Sequence, residues 1–142
     1  MDNLTPRQRS RTMSLIRSKD TRPELTIRRL LHARGLRFRK HARWLPGRPD
    51  LLFVSARVTV FVDGDFWHGW RFPTWSGKLA AYWKQKIQGN RRRDSLNVRR
   101  LRREGWLVIR VWEHEVESDA AHCVDRIEAA VRARMPRMAV RF

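Results

Sequence analysis

Three acidic side chains, Glu24, Asp50 and Asp63, stand where carboxylates could act together. Asp50 opens an apolar run directly after Pro49, and Asp63 closes the next apolar run thirteen residues later. If the two runs are neighbouring strands, their ends can bring both carboxylates to one sheet edge. Carboxylates with nearby backbone oxygens are the donor set that a hard cation such as Mg²⁺ takes. Such a cation polarises a phosphodiester and supplies bound water as a nucleophile. An aspartate at the start of a strand is more often a turn or capping residue, so this pairing specifies little by itself.

The elements that must position these groups follow from pattern. Thr21-Arg-Pro-Glu24 reads as a capping box, with Thr21 as N-cap and Pro23 in the first turn, where no N–H bond is needed. Ile27, Leu30 and Leu31 continue at helical spacing, and Gly35 fits the residue just past the helix end. Residues 36–39 alternate apolar and basic, as a half-buried strand would. Residues 50–54 and 58–62 are β-rich runs joined through Ser55-Ala-Arg57, which predicts a hairpin. Residues 77–104 predict one long helix, or two joined near Gly89, feeding an apolar strand over 106–112. Strand–helix–strand implies a parallel or mixed sheet. A helix over 118–135, with Val124, Ile127 and Val131 on one face, closes the order αβββαβα.

A chain of 142 residues fits one domain, and 42% hydrophobic residues make it globular. No segment approaches the run of about 20 apolar residues that crosses a bilayer, and the start lacks a signal-type apolar stretch, so a cytoplasmic location is expected. Cys123 is the single cysteine and cannot form an internal disulfide. Charge is the strongest compositional signal. Thirty-two Lys and Arg against fourteen Asp and Glu give +18. So basic a chain repels itself unless it meets a polyanion, and arginine forks readily onto phosphate. An anionic membrane is the rival partner, but the basic residues are spread along the chain and not gathered on one amphipathic helix.

Four stretches at compatible distances then resemble the very-short-patch repair endonucleases. They are Pro-Gly-Arg-Pro-Asp50, Phe-Val-Asp-Gly-Asp-Phe-Trp-His68, Tyr-Trp83-Lys-Gln-Lys86-Ile-Gln-Gly-Asn90 with Arg93-Asp94, and Gly-Trp106 with Val-Trp-Glu113. The similarity spans about residues 8–117. It implies an α/β fold with the restriction-endonuclease-like PD-(D/E)xK core, a mixed β-sheet flanked by helices. Residues 1–142 would form a single endonuclease domain, with 1–20 a basic arm on DNA and 21–135 the catalytic core.

By the same resemblance Asp50 matches the principal metal-binding aspartate, and the Val62 carbonyl matches the other protein contact to Mg²⁺. His68 matches a histidine that helps activate the attacking water, and Glu24 a helix glutamate near that water. Phe66, Trp67 and Trp83 match aromatics that push into the DNA stack beside a mismatch, at a cost of a few kcal/mol of unstacking. Met13 and Ile16 match a helix placed against the opposite groove. Lys86 and Asn90 lie four apart on one helical face, where Lys can read guanine and Asn adenine. With Arg91, Arg92 and Arg93 they are the expected phosphate and base contacts.

The chain departs from the family twice. Better-known members carry histidine where Asp63 stands, so Asp63 is a candidate second metal ligand and catalytic residue. The family's structural zinc ligands fall on Asp65, Trp70 and His114, with no cysteine among them. Tetrahedral zinc prefers thiolate and imidazole, and tryptophan does not ligate. No structural zinc is therefore expected, with aromatic packing around Trp70 and Trp112 instead.

The resemblance implies a monomeric, nucleoid-associated, Mg²⁺-dependent enzyme that nicks one strand beside a T:G mismatch, leaving 5′-phosphate and 3′-hydroxyl. Mismatched double-stranded DNA is its partner, other mismatch-repair proteins are candidates, and no membrane is involved. Two rivals stand beside this reading: a restriction-type or other structure-specific nuclease of the same core, and a non-catalytic DNA-binding module. A binder has no use for Asp50, His68 and Glu24 together, which argues against the last.

Overall fold

The computed structural model describes residues 20–65 and 81–135. Met13, Ile16, Phe66, Trp67, His68 and Trp70 lie outside them. The element order is α1 (Arg22–Ala33), β1 (Arg39–Lys40), β2 (Leu51–Phe53), β3 (Val58–Asp63), α2 (Ala81–Arg103), β4 (Leu107–Trp112) and α3 (Glu113–Arg134). This is the αβββαβα order expected from the pattern.

Helix α1 begins where its caps require. Thr21 is extended, and its Oγ1 accepts from the Glu24 N–H at 3.4 Å. Past its end, Gly35 adopts φ 81, the Gly35 N–H donates to the His32 carbonyl, and the Leu36 N–H reaches back to Leu31. This is the left-handed glycine closure that satisfies the last carbonyls of a helix. Gly105 closes α2 in the same way and turns the chain into β4.

The sheet has the order β1-β2-β3-β4. Strands β1, β2 and β3 pair antiparallel, whereas β3 and β4 run parallel from Val58↔Leu107 to Asp63↔Trp112. The expected hairpin is present, turning on an Arg57 N–H bond to the Val54 carbonyl. The parallel pair is joined through α2, the crossover such pairing demands. Ile27 and Leu31 of α1, the inward residues of β2, β3 and β4, and Val116, Val124, Ile127 and Val131 of α3 form one apolar core on one sheet face. Helix α2 reaches the opposite face, where Asp94 approaches Arg110 of β4. The described residues therefore form a mixed four-stranded sheet flanked by three helices.

Two boundaries differ from the sequence reading, and the alternative left open for the long helix is decided. The strand expected over 36–39 pairs only at Arg39 and Lys40, because β2 lies opposite those two residues alone. Leu36 and Phe38 pack into or against the core without joining the ladder. Helix α2 runs unbroken through Gly89. Helix α3 starts at Glu113, earlier than expected, and kinks at Asp119, whose carboxylate accepts from the His122 N–H at 3.0 Å. The expected start at residue 118 thus falls beside the kink, where Asp119 caps the second segment of the helix.

Candidate active site

Strand β2 stops pairing at Leu51↔Val60, so the next backbone groups of β3 on that side have no strand to meet. The Asp50 carboxylate takes over: its Oδ2 accepts from the Val62 N–H at 2.7 Å. In an extended strand the N–H and C=O of one residue point to the same side. The Val62 carbonyl is therefore directed towards Asp50 as well. A carboxylate has about four acceptor positions, so this bond is compatible with metal ligation. Carboxylate and carbonyl oxygens are hard donors of the type that holds Mg²⁺. The donor set fits that ion.

Glu24 is brought to the same end of the sheet. The Asp50 carbonyl accepts from the His41 N–H at 3.0 Å, extending the β1–β2 ladder by one step. His41 in turn places its Nε2 3.4 Å from Glu24 Oε2. The Glu24 carboxylate is 1% exposed and ion-paired with Arg28 one turn later on α1. The capping box is thus half used for capping. Thr21 receives the Glu24 N–H, while the Glu24 carboxylate faces inward to Arg28 and His41.

Asp20, Glu24 and His41 are, among the described residues, the group whose ligand atoms lie close enough for a metal ion. A guanidinium already supplies positive charge there. Arg28 lies 2.8 Å from Asp20 Oδ1 and 2.9 Å from His41 Nε2, besides its pairing with Glu24. His41 Nε2 also lies 3.1 Å from Asp20 Oδ1. One ring nitrogen cannot accept from Arg28 and donate to Asp20 at once, so the tautomer selects between them. The His41 ring, and after it the Arg28 guanidinium, hold the Asp20 carboxyl below the usual carboxylate range. Backbone strain gathers here too. Asp20, His41 and Arg48 have φ of 53, 50 and 51, a region uncommon outside glycine that costs on the order of 1 kcal/mol each.

Asp63 meets a different partner. It is 2% exposed and ion-paired with Arg110 of β4, whose other guanidinium nitrogen is 3.8 Å from Asp94 of α2. Arg110 also stands over the Phe61 and Trp112 rings at 5.9 and 5.8 Å. The charge of Asp63 is thereby balanced from inside the fold. Of the carboxylates chosen from the sequence, Asp50 and Glu24 share one neighbourhood through His41, and Asp63 ties β3, β4 and α2 together.

On α2, Lys86, Arg91, Arg92 and Arg93 are exposed and Asn90 is half-buried, with its Oδ1 accepting from Arg93. Trp83 is 7% exposed and sits edge-on to Tyr82, which is 65% exposed. At the positions matching the zinc site, His114 Nδ1 lies 2.9 Å from Asp65 Oδ1, and the Asp65 N–H donates to Glu113 at 3.3 Å. Two of the three candidate ligands are thus bonded to one another.

Arg28, His41 and Arg110 were missed from the sequence. Arg110 carried a usable signal, a lone charge inside the apolar run 106–112, which requires a buried partner. Arg28 carried one as well, a cation one helical turn after Glu24, whereas His41 is joined to Glu24 only through the fold.

The model of the family described as DNA mismatch endonuclease Vsr matches residues 1–73. A type II nicking enzyme of Neisseria meningitidis serogroup C is 41% identical over 138 residues, covering 93% of this chain and 91% of that protein. A type II nicking enzyme of Xanthomonas oryzae pv. oryzae is 45% identical over 117 residues, 81% of this chain and 86% of that protein. The DNA mismatch endonuclease Vsr of Escherichia coli K12 is 38% identical over 109 residues, 74% of this chain and 69% of that protein. With the site geometry as described and these likenesses running along most of the chain, the protein belongs to the Vsr family and is a DNA endonuclease.

Proposed function

We propose that this protein nicks one strand of double-stranded DNA beside a T:G mismatch, using Mg²⁺ held by the Asp50 carboxylate and the Val62 carbonyl in a PD-(D/E)xK core. The observation that carries the reading is the Asp50–Val62 bond at the open end of the sheet, with Glu24 led to it through His41. Bound there, the cation would polarise the scissile phosphodiester and activate the attacking water. His68, by its match to the family, is the base that takes a proton from that water. Glu24, buried and fixed between Arg28 and His41, orients it. Asp63 is assigned a positioning role, because its carboxylate neutralises Arg110. The exposed cations of α2 bind phosphate, and the enzyme works as a monomer on cytoplasmic, nucleoid DNA. No helix among the described residues is long and apolar enough to cross a membrane.

Mismatch recognition is assigned to Phe66, Trp67 and Trp83, which the resemblance puts into the stack where lost pairing makes opening cheaper. The test is binding of Trp67→Ala to T:G and matched duplexes at two salt concentrations. It is expected to lose discrimination, whereas Arg92→Ala weakens both duplexes alike and lowers the salt slope by about one. Equal weakening of both duplexes by Trp67→Ala would move the enzyme towards a nuclease that reads intact sequence.

The reading also holds that folding does not depend on zinc. Asp65 and His114 satisfy each other, and the set lacks a thiolate. Protein purified without added zinc is expected to contain far less than one equivalent by metal analysis, and chelation is expected to leave its Tm unchanged. Stoichiometric zinc surviving mild chelation would overturn this.

A further inference from the structure

The segment between β1 and β2 is bonded at both ends and twice between them, yet leaves a tryptophan outside. Its two ends are bonded, His41 N–H to Asp50 and Ala42 N–H to Pro49, both at 3.0 Å. Between them the Leu45 N–H reaches Ala42 and the Arg48 N–H reaches Leu45. Ala42 is 0% exposed, and Pro49 is buried. Gly47 lies so close to the body that a Cβ there would stand 3.1 Å from Asn97 Cβ of α2 and 3.2 Å from Phe61 Cε1 of β3. Nothing in this framework turns Trp44 inward: the residue is 62% exposed.

The setting of that indole is specific. Arg43 and Arg48 on the same loop are exposed, and the stretch from His41 to Pro49 contains no acidic residue. Trp44 is two residues beyond Ala42, which is bonded across to the neighbour of Asp50. Two steps of chain reach at most about 7.6 Å. Trp44 is therefore carried on the loop that leads directly into Asp50, at the end of the sheet where that carboxylate stands. An aromatic surface flanked by cations suits nucleic acid, since every base offers a π-face and every linkage a phosphate.

We propose that Trp44, with Arg43 and Arg48, is a further DNA contact: the indole stacks on a base or sugar flanking the cut, and the two arginines hold adjacent phosphates. This contact is separate from the aromatics at Phe66 and Trp67 and rests on the reading of Asp50 as the catalytic centre. It secures the strand around the scissile phosphate and does not touch the reacting atoms. Its loss therefore raises Kd and KM and leaves the rate on bound DNA in place.

The experiment uses the full chain and a fluorescein-labelled duplex carrying one T:G pair, without divalent cation for binding and with Mg²⁺ for single-turnover nicking. Trp44→Ala is expected to weaken binding about tenfold with an unchanged salt slope, and Trp44→Phe to recover most of the loss. Arg43→Ala and Arg48→Ala are each expected to lower the salt slope by about one. At saturating protein the nicking rate of Trp44→Ala should match wild type within about twofold, as expected for a contact that only positions DNA. An unchanged Kd in Trp44→Ala overturns the proposal. So does a shift from dimer to monomer in sedimentation with DNA affinity intact, which would make the indole a contact between two copies. Binding is measured without cutting, so a wild-type protein that fails to nick T:G duplexes would sink the proposed function and leave the Trp44 comparison standing.

Discussion

Asp50→Asn is expected to reduce nicking at least about a thousandfold, because the cation loses the one ionised side chain proposed to hold it and several kcal/mol of transition-state stabilisation go with it. The fold should survive. Asparagine keeps an oxygen that can accept the Val62 N–H, now 2.7 Å from Asp50 Oδ2, and the His41 bond is to backbone. DNA affinity should also hold, since the basic residues of α2 and of the loop before Asp50 are untouched. Single-turnover nicking, duplex binding and thermal unfolding on one preparation check all three. A variant that cuts at a near-normal rate removes Asp50 from catalysis. A variant that has lost both binding and Tm would show a structural role for the carboxylate.

Arg110→Ala is expected to have the largest effect on stability. It removes the Arg110 half of the ion pair with Asp63, a carboxylate 2% exposed, together with the approach of Arg110 to Asp94. Breaking a buried ion pair by removing one partner costs about 3–5 kcal/mol, enough to lower Tm by on the order of 10 °C. Asp63→Asn separates the two roles open to this residue. As a positioning residue it should lower Tm and leave the Mg²⁺ concentration for half-maximal nicking unchanged. As a metal ligand it would shift that concentration strongly and fall in rate towards Asp50→Asn. Removing both charges together, Asp63→Leu with Arg110→Met, should cost less than either single loss, because the buried pair is then removed as a unit.

What could be read from the sequence, and what could not, follows from the range of each interaction. Helix α1 was legible because Thr21, Pro23 and Gly35 are local signals, and each acts within one turn. Strands β2 and β3 were legible because β-rich runs around a turn pair with each other. Alternation over 36–39 reported burial correctly at Leu36 and Phe38, but burial is not pairing, and the ladder formed two residues on. Val62 was set beside Asp50 by the family resemblance alone, and the β2–β3 register is what brings its N–H to the Asp50 carboxylate. The partners of Glu24 and Asp63 were not read, although Arg28 stands one helical turn after Glu24 and Arg110 is a lone charge in an apolar run; that Arg110 meets Asp63 is decided by the pairing of β3 with β4. Trp83 shows the same limit. Trp83 is 7% exposed beside Tyr82 at 65%, a difference that the basic residues around both in sequence do not announce. Sequence neighbours do not say which face of a helix a residue occupies.

The central claim is that this fold performs Mg²⁺-dependent nicking directed by a mismatch. It is tested most directly with paired duplexes identical except for one T:G in place of T:A or C:G, end-labelled on each strand and incubated with the protein with and without Mg²⁺. The expected result is a single nick beside the mismatch, on one strand of the T:G duplex, only with Mg²⁺, and with 5′-phosphate and 3′-hydroxyl ends. Equal cutting of matched and mismatched duplexes, cutting of both strands, or full activity in excess chelator would contradict it.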